Sequence, residues 1–491
     1  MGAIRYYKHS DYYGFRKELS YYFSLIEHIF SKYNSFTILN LISKISQEIG
    51  IDNEPKNLSR IQNKILKPID NNIWLHRRSL STLVQIFCSG KHNQDDINLY
   101  NIQGTDILEL FLCSNDIIEA SEEKLLPEIN DPIERILFVS YKWIGDLVTA
   151  TDIQASILFF KKYYERISMS DSVEEYAAMF LNETGIEFSD YLEILDNFSH
   201  KKINHNDFNQ ISSLLSLNIN EISEKWEARK PKLEIPFEYK FIETYPLIKF
   251  DDQLFVGGIH LLFIGLIRRA YHCLSGTNEG KKFRYLFGEK IVEPTIKDYL
   301  RDLLIDNTTK ELNVSKGDYE YADFGVIHNK SILLFEIKST LMGLNLRYES
   351  TPKRFFQEFD RRYASQKSGA GQQVGRLLDI NRDFEGFCKL TGLNVNQDYI
   401  VYNILLVLDD ALSAEGSNFY IRNKYEAFIS KDHKAITKIS TPARNSLLTF
   451  NELYILNKEL KSSLDRIQFL IEYNKYDYSF NSFLGTKGML I

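Results

Sequence analysis

Cysteine is scarce in this chain: four among 491 residues, at positions 88, 113, 273 and 388, with no Cys-x-x-Cys pair. That spacing excludes a dense disulfide framework and a zinc knuckle built on paired cysteines, and it points to a reducing cytoplasm. Proline is rare too, at ten residues, and no Gly/Ser- or Pro-rich tract reads as a long disordered linker. No Gly-x-x-x-x-Gly-Lys-[Ser/Thr] loop occurs, so ATP-driven translocation would need a separate partner. The longest apolar run, "LFVGGIHLLFIGLI" at 254–267, has two adjacent glycines and His260 inside it; it is too short for a bilayer span and reads as a buried helix. The opening residues lack the apolar core and cleavage site of a secretory leader, and Tyr6 stands where N-myristoylation asks for Ser or Thr. A net charge of −7 means that any phosphate-binding surface is local rather than global. These absences lead us to expect a soluble cytoplasmic protein with no membrane partner.

What is present fills two or three domains. Residues 1–230 read as a mainly helical region: "YYGFRKELSYYFSLIEHIFSKY", "TDILELFLCSNDIIEAS", "DPIERILFVSYKWIGDLVTATDIQASILFFKKYYERI" and "DFNQISSLLSLNINEISEKW" all carry apolar residues at helical spacing. Pro231, Pro236 and Pro246 then punctuate short strand-like runs and mark a boundary. Beyond it the pattern becomes helix (281–304), hairpin (321–340), helices (351–366 and 369–390) and buried strand (398–410), an α/β domain over 231–430. Residues 431–491 read as a C-terminal helical packing element.

The hairpin stretch "YADFGVIHNKSILLFEIKST" places Asp323, Glu336 and Lys338 in otherwise apolar strands, where unpaired charge is costly to bury. With Asn329-Lys330 as a two-residue loop, Asp323 falls opposite Glu336, and the pleat sets Lys338 on the same face as Glu336. Two like charges so placed repel unless a cation bridges them. Hard oxygens at that spacing suit Mg²⁺ or Mn²⁺. Glu-x-Lys is by itself a cheap pattern, occurring also at Glu54, Glu122, Glu238, Glu279 and Glu459; Glu336 differs in lying within the apolar run "ILLFEIK". The bland alternative is a solvated salt bridge on an edge strand.

Asp323, twelve intervening residues and Glu336-Ile337-Lys338, after a Glu-bearing helix, resemble the PD-(D/E)xK, or restriction-endonuclease-like, nuclease superfamily. The resemblance covers roughly residues 283–410, with Ala322 where the motif's name has proline. It implies a restriction-endonuclease-like α/β core, a mixed central sheet flanked by helices, and metal-dependent phosphodiester hydrolysis leaving 5′-phosphate and 3′-hydroxyl ends. It further implies Asp323, Glu336 and the Ile337 carbonyl as metal ligands, with Glu289 or Glu293 of the first helix, and Lys338 at the attacking water. Between the two helix carboxylates, a 100° wheel puts Glu289 within about 40° of the apolar centre and Glu293 about 80° away, which favours Glu289. In the helix after the hairpin, Gln373 with Val374 best matches a glutamine that family members carry near the site, beside Lys367 and Gln372.

Between 347 and 376, seven basic residues stand against three acidic ones. Arg347, Lys353, Arg354, Arg361, Arg362, Lys367 and Arg376 suit a DNA phosphate backbone, or equally a solvated helix face. The function expected is a Mg²⁺-dependent deoxyribonuclease, in prokaryotic restriction or anti-phage defence, with the helical region sensing a trigger, binding nucleic acid or making a homo-oligomer or defence-complex contact. The alternatives are a non-catalytic protein that grips nucleic acid or a partner, and an RNA-cleaving nuclease.

Overall fold

Asn329 turns the chain with a left-handed φ of 54°, which asparagine tolerates, and with Lys330 makes the two-residue loop of the hairpin. Around that hairpin the computed structural model builds a five-stranded mixed sheet: β1 (Lys310–Glu311), β2 (Phe324–His328), β3 (Ser331–Lys338), β4 (Ile400–Val407) and β5 (Ser446–Thr449), in the spatial order β5-β4-β3-β2-β1. The structure describes residues 8–50, 55–65, 75–90, 102–142, 150–169, 173–199, 205–229, 243–276, 279–316, 319–342, 346, 351–413, 416–432, 436–442, 444–477 and 479–489. β3 pairs antiparallel with β2 over Ser331–Phe335 and parallel with β4 over Ser331–Lys338, so the strand that bears Glu336 and Lys338 is central. The edge-strand alternative is thereby removed.

Alternation sorts the apolar side chains of the sheet to two faces. Phe324, Val326, Leu333, Phe335, Ile337, Ile404 and Leu406 join a core with helix Ala150–Ser168, helix α1 (Glu293–Leu304) and the C-terminal helices Phe450–Glu459 and Ser463–Tyr473. Ile327, Ile332, Leu334, Leu405 and Val407 face the other way, onto helices α2 (Pro352–Phe359), α3 (Ala370–Arg382) and α4 (Ser417–Asp432). A third core joins helices between 19 and 125 to the short strands Leu247–Phe250 and Gln253–Val256. The helices of residues 1–230 divide among these cores: Ile129, Leu137, Phe138 and Tyr141 join one face of the sheet, residues from Ile153 to Leu215 join the other, and Ile219 and Ile222 belong to the third core. The boundary expected near Pro231 and Pro236 lies outside the described residues.

Several expected elements differ in detail. The stretch 207–226 is not continuous helix; Ser216–Asn218 is a strand that pairs parallel with Leu247–Phe250, in register Ser216↔Leu247 to Asn218↔Lys249, between helices His205–Leu215 and Ile219–Arg229. The apolar run 254–267 begins as strand, breaks at Gly257-Gly258, and only then becomes helix Ile259–Gly276. Within the expected C-terminal helical element 431–491, Phe450–Glu459 and Ser463–Tyr473 are separate helices, and β5 ahead of them completes the sheet. No helix among the described residues is long and apolar enough to cross a membrane.

Candidate active site

The hairpin delivers its charges to one end of the sheet. Regular pairing ends at Phe324↔Phe335, one step before Asp323 and Glu336. There the Asp323 amide donates to the Phe335 carbonyl at 3.0 Å, and the Ile337 amide donates to Asp323 Oδ2 at 2.5 Å. Asp323 is thus held across the end of β3 by a strand amide.

Glu336, 4% exposed, points with Ile332 and Leu334 to the face covered by α3. Lys338 Nζ lies 2.7 Å from Glu336 Oε1 and 2.9 Å from Gln372 Oε1 in the first turn of α3. Gln373, the glutamine favoured by the sequence pattern, turns away: it is buried, and its Oε1 accepts from Asn445 Nδ2 at 2.8 Å. Glycine explains how α3 reaches Lys338. Gly369 adopts φ 59°, and a Cβ on Gly371 would sit 2.3 Å from the Ser365 carbonyl oxygen, so only glycines let the helix start against the preceding turn.

The carboxylate from the preceding helix is Glu293. Carboxylate oxygens of Glu293, Glu320 and Asp323 all lie within 4.8 Å of one another. Glu289 is exposed, and the Tyr285 hydroxyl is its hydrogen-bond partner. The reason is local: Phe287–Val292 is a π-helical turn, in which each residue advances by less than 100°, so the ideal wheel loses phase between 289 and 293. Gly288 lets that turn close onto the end of β3, for a Cβ there would stand 2.5 Å from Ser339 Oγ.

Two site residues had no sequence signal of their own. Glu320 comes from the short strand Tyr319–Glu320, and Lys297, one turn after Glu293, lies 2.6 Å from Glu293 Oε1 and 3.8 Å from Glu320 Oε1. Burial tends to lower the Lys297 pKa, yet the Glu293 hydrogen bond and the charges of Glu293, Glu320 and Asp323 raise it overall, so it stays an ammonium. Asp323 is pushed the other way from an ordinary carboxyl: burial first, then Glu336 and Glu293, raise it well above 3.8 despite the Ile337 amide and Lys338. The acids outnumber the cations that neutralise them.

The basic residues spread more widely. Lys353, Arg354 and Lys367 are exposed, Arg361 pairs with Glu358 at 2.7 Å, and Arg362 donates to the Leu341 carbonyl at 3.3 Å. Arg376 stacks over the Tyr319 ring at 4.5 Å, beside Glu320. Lys353 lines an open groove with Glu128, Glu134 and Asp360, which is a poor surface for phosphate. Arg347 lies outside the described residues.

Mg²⁺ and Mn²⁺ take hard oxygen ligands, and the three carboxylates of Glu293, Glu320 and Asp323 lie close enough to share one such ion. The donor set is all hard oxygen, and the Asp323 carboxyl, raised first by burial and then by the charges of Glu336 and Glu293, sits where a divalent cation would offset clustered negative charge. The residues fit such an ion. No family model matches the chain, and neither does any curated protein or solved structure.

Proposed function

We propose that this chain is a metal-dependent nuclease that hydrolyses DNA phosphodiester bonds at the Asp323–Glu336–Lys338 end of the sheet. The observation that carries the reading is the meeting of Glu293, Glu320 and Asp323 within 4.8 Å, on the sheet end where Lys338 is held by Glu336 and Gln372. The order helix, antiparallel hairpin, helix, parallel strand around this site also supports a restriction-endonuclease-like core.

A bound Mg²⁺ or Mn²⁺ would lower the pKa of a ligated water and polarise the scissile phosphoryl oxygen. Asp323, Glu293 and Glu320 would hold that ion, with Glu336 beside them. The Ile337 amide fixes the Asp323 carboxylate, leaving its other oxygen free to ligate. Lys338, anchored by Gln372, places a fixed positive charge where negative charge builds on the phosphorus in the transition state. Tyr319 and Arg376, adjoining Glu320, offer a planar ring and a guanidinium at the rim.

The test is incubation of purified protein with plasmid, linear and single-stranded DNA and with RNA, in Mg²⁺, Mn²⁺ or EDTA. Cleavage of DNA that needs the metal and is lost in Asp323→Asn is expected. Binding that persists in EDTA without any metal-dependent cleavage would replace the enzyme with a nucleic-acid-binding protein, and cleavage of RNA alone would change the substrate.

A further inference from the structure

Far along the chain from the sheet, a second cluster of donor side chains lies on helix Gly104–Leu125. Glu109 and Cys113 stand four residues apart on one face of that helix, and His9, from the short helix His9–Tyr13, packs over them. Each of the three offers a ligand atom, and those atoms lie within 4.8 Å of one another. His9 and Cys113 are buried, at 2% and 0% exposure, and the Glu109 side chain is 19% exposed.

The cluster is not a satisfied hydrogen-bond network. His9 Nδ1 and Glu109 Oε2 are both buried without a hydrogen bond among the described residues. His9 Nε2 is 3.5 Å from Glu109 Oε2, an ion-pair separation that counts only if the ring is protonated. The Glu109 carboxylate thus faces the His9 ring and the buried Cys113 thiol, with no hydrogen-bond donor to Oε2 among the described residues.

We infer that His9, Glu109 and Cys113 bind a zinc ion that fastens the N-terminal segment to helix Gly104–Leu125. The donor chemistry selects the metal. One imidazole nitrogen, one carboxylate oxygen and one thiolate sulfur suit Zn²⁺, whereas a thiolate excludes Mg²⁺ and Ca²⁺. Charge balances as well: a thiolate and a carboxylate offset the ion, which leaves a neutral buried site. Ligand atoms on one zinc stand roughly 3–4 Å apart, a separation that His9 Nε2 and Glu109 Oε2 already have at 3.5 Å, and with Cys113 they would supply three positions of a tetrahedron and leave the fourth for water. The second shell is in place. The Tyr13 hydroxyl donates to Glu109 Oε1 and orients the carboxylate, and the rings of Tyr13 and Tyr22 lie 4.3 and 5.5 Å from the His9 ring, screening it from solvent. Asp116, three residues past Cys113, accepts from Ser10 N at 2.9 Å and Ser10 Oγ at 2.8 Å, which holds the short helix in register.

The experiment measures metal content of the Asp323→Asn protein, which keeps this cluster and weakens the acidic one. Purified with Zn²⁺ and without chelator, it should carry one zinc per chain. Cys113→Ser and His9→Gln should each bind zinc roughly tenfold or more weakly, with a native circular-dichroism spectrum. 1,10-Phenanthroline should lower the melting temperature, and Zn²⁺ but not Mg²⁺ should restore it. Substitution with Co²⁺ in the otherwise unaltered chain should give a thiolate-to-cobalt charge-transfer band, a readout that stands even if a variant fails to fold. Zinc content well below one per chain, zinc retained by Cys113→Ser, or a cobalt spectrum without the thiolate band would each overturn the site.

Discussion

Lys338 Nζ lies 2.7 Å from Glu336 Oε1, on the same face of the central strand and one pleat further along. Glu336 is nearly inaccessible to water, and that ammonium is its hydrogen-bonded partner. Lys338→Ala should lower metal-dependent cleavage roughly 10²- to 10³-fold, the usual cost of losing a preorganised transition-state contact. It should also destabilise the fold by about 1–3 kcal/mol, because it strands the buried carboxylate. Adding Glu336→Gln to it should restore part of that stability and none of the cleavage. Urea denaturation alongside a plasmid-nicking assay separates the two effects, and equal stability of the single and double variants would contradict the pairing.

Asp323 predicts an inverted pH profile for the metal-free protein. Burial first, and then Glu336, raise its folded carboxyl from the ordinary 3.8 to about 8, so between those two values the native state binds more proton than the unfolded chain. The stability it contributes is complete below the unfolded pKa and is lost as pH rises through the folded one. In EDTA the melting temperature should therefore fall with rising pH across this window, and Asp323→Asn should flatten that part of the profile. Mg²⁺ should stabilise the unaltered protein most at the alkaline end, where the carboxylates are ionised and repel. A thermal melt in EDTA that is indifferent to Asp323→Asn at every pH would remove the repulsion from the account.

The sequence made the hairpin legible because two local rules agree there: a two-residue loop sets the register, and a period of two assigns the faces. Asp323, Glu336 and Lys338 follow from those rules alone. The helix carboxylate does not, because the wheel that favoured Glu289 assumes a regular α-helix, and Phe287–Val292 is a π turn. Lys297 and Glu320 carry no local signal, since their meaning arises only when α1 and the strand Tyr319–Glu320 converge on Asp323. β5 is four residues long and sits against a helix cap, too short for periodicity to declare it.

Gln372 and Gln373 are adjacent in sequence and opposite in placement, so their variants should separate. Gln372→Ala removes the group that holds Lys338 at 2.9 Å and should slow turnover while leaving the melting temperature close to that of the unaltered protein. Gln373→Ala removes a buried partner of Asn445 and should cost about 1–2 kcal/mol of stability, with turnover per folded molecule preserved. Single-turnover cleavage measured on variants of known folded fraction checks both, and a turnover defect confined to Gln373→Ala would reverse the assignment.

Lys297 makes the sharpest demand on the metal centre, because it occupies the place of a counter-ion. Its ammonium lies 2.6 Å from Glu293 Oε1 and 3.8 Å from Glu320 Oε1, neutralising two of the three carboxylates that a divalent cation would use. The ion must then compete with Lys297 for Glu293. Lys297→Met keeps the length and apolar stem of the side chain but removes that competition, so it should bind Mn²⁺ more tightly and lower the melting temperature in EDTA, where the acids lose their cation. Glu293→Gln should weaken Mn²⁺ binding about tenfold or more, while Glu289→Gln, at an exposed position paired with Tyr285, should leave it unchanged. Titration calorimetry with Mn²⁺ on the three variants distinguishes these outcomes. Weaker binding in Lys297→Met would mean that the lysine organises the carboxylates for the ion instead of holding their place.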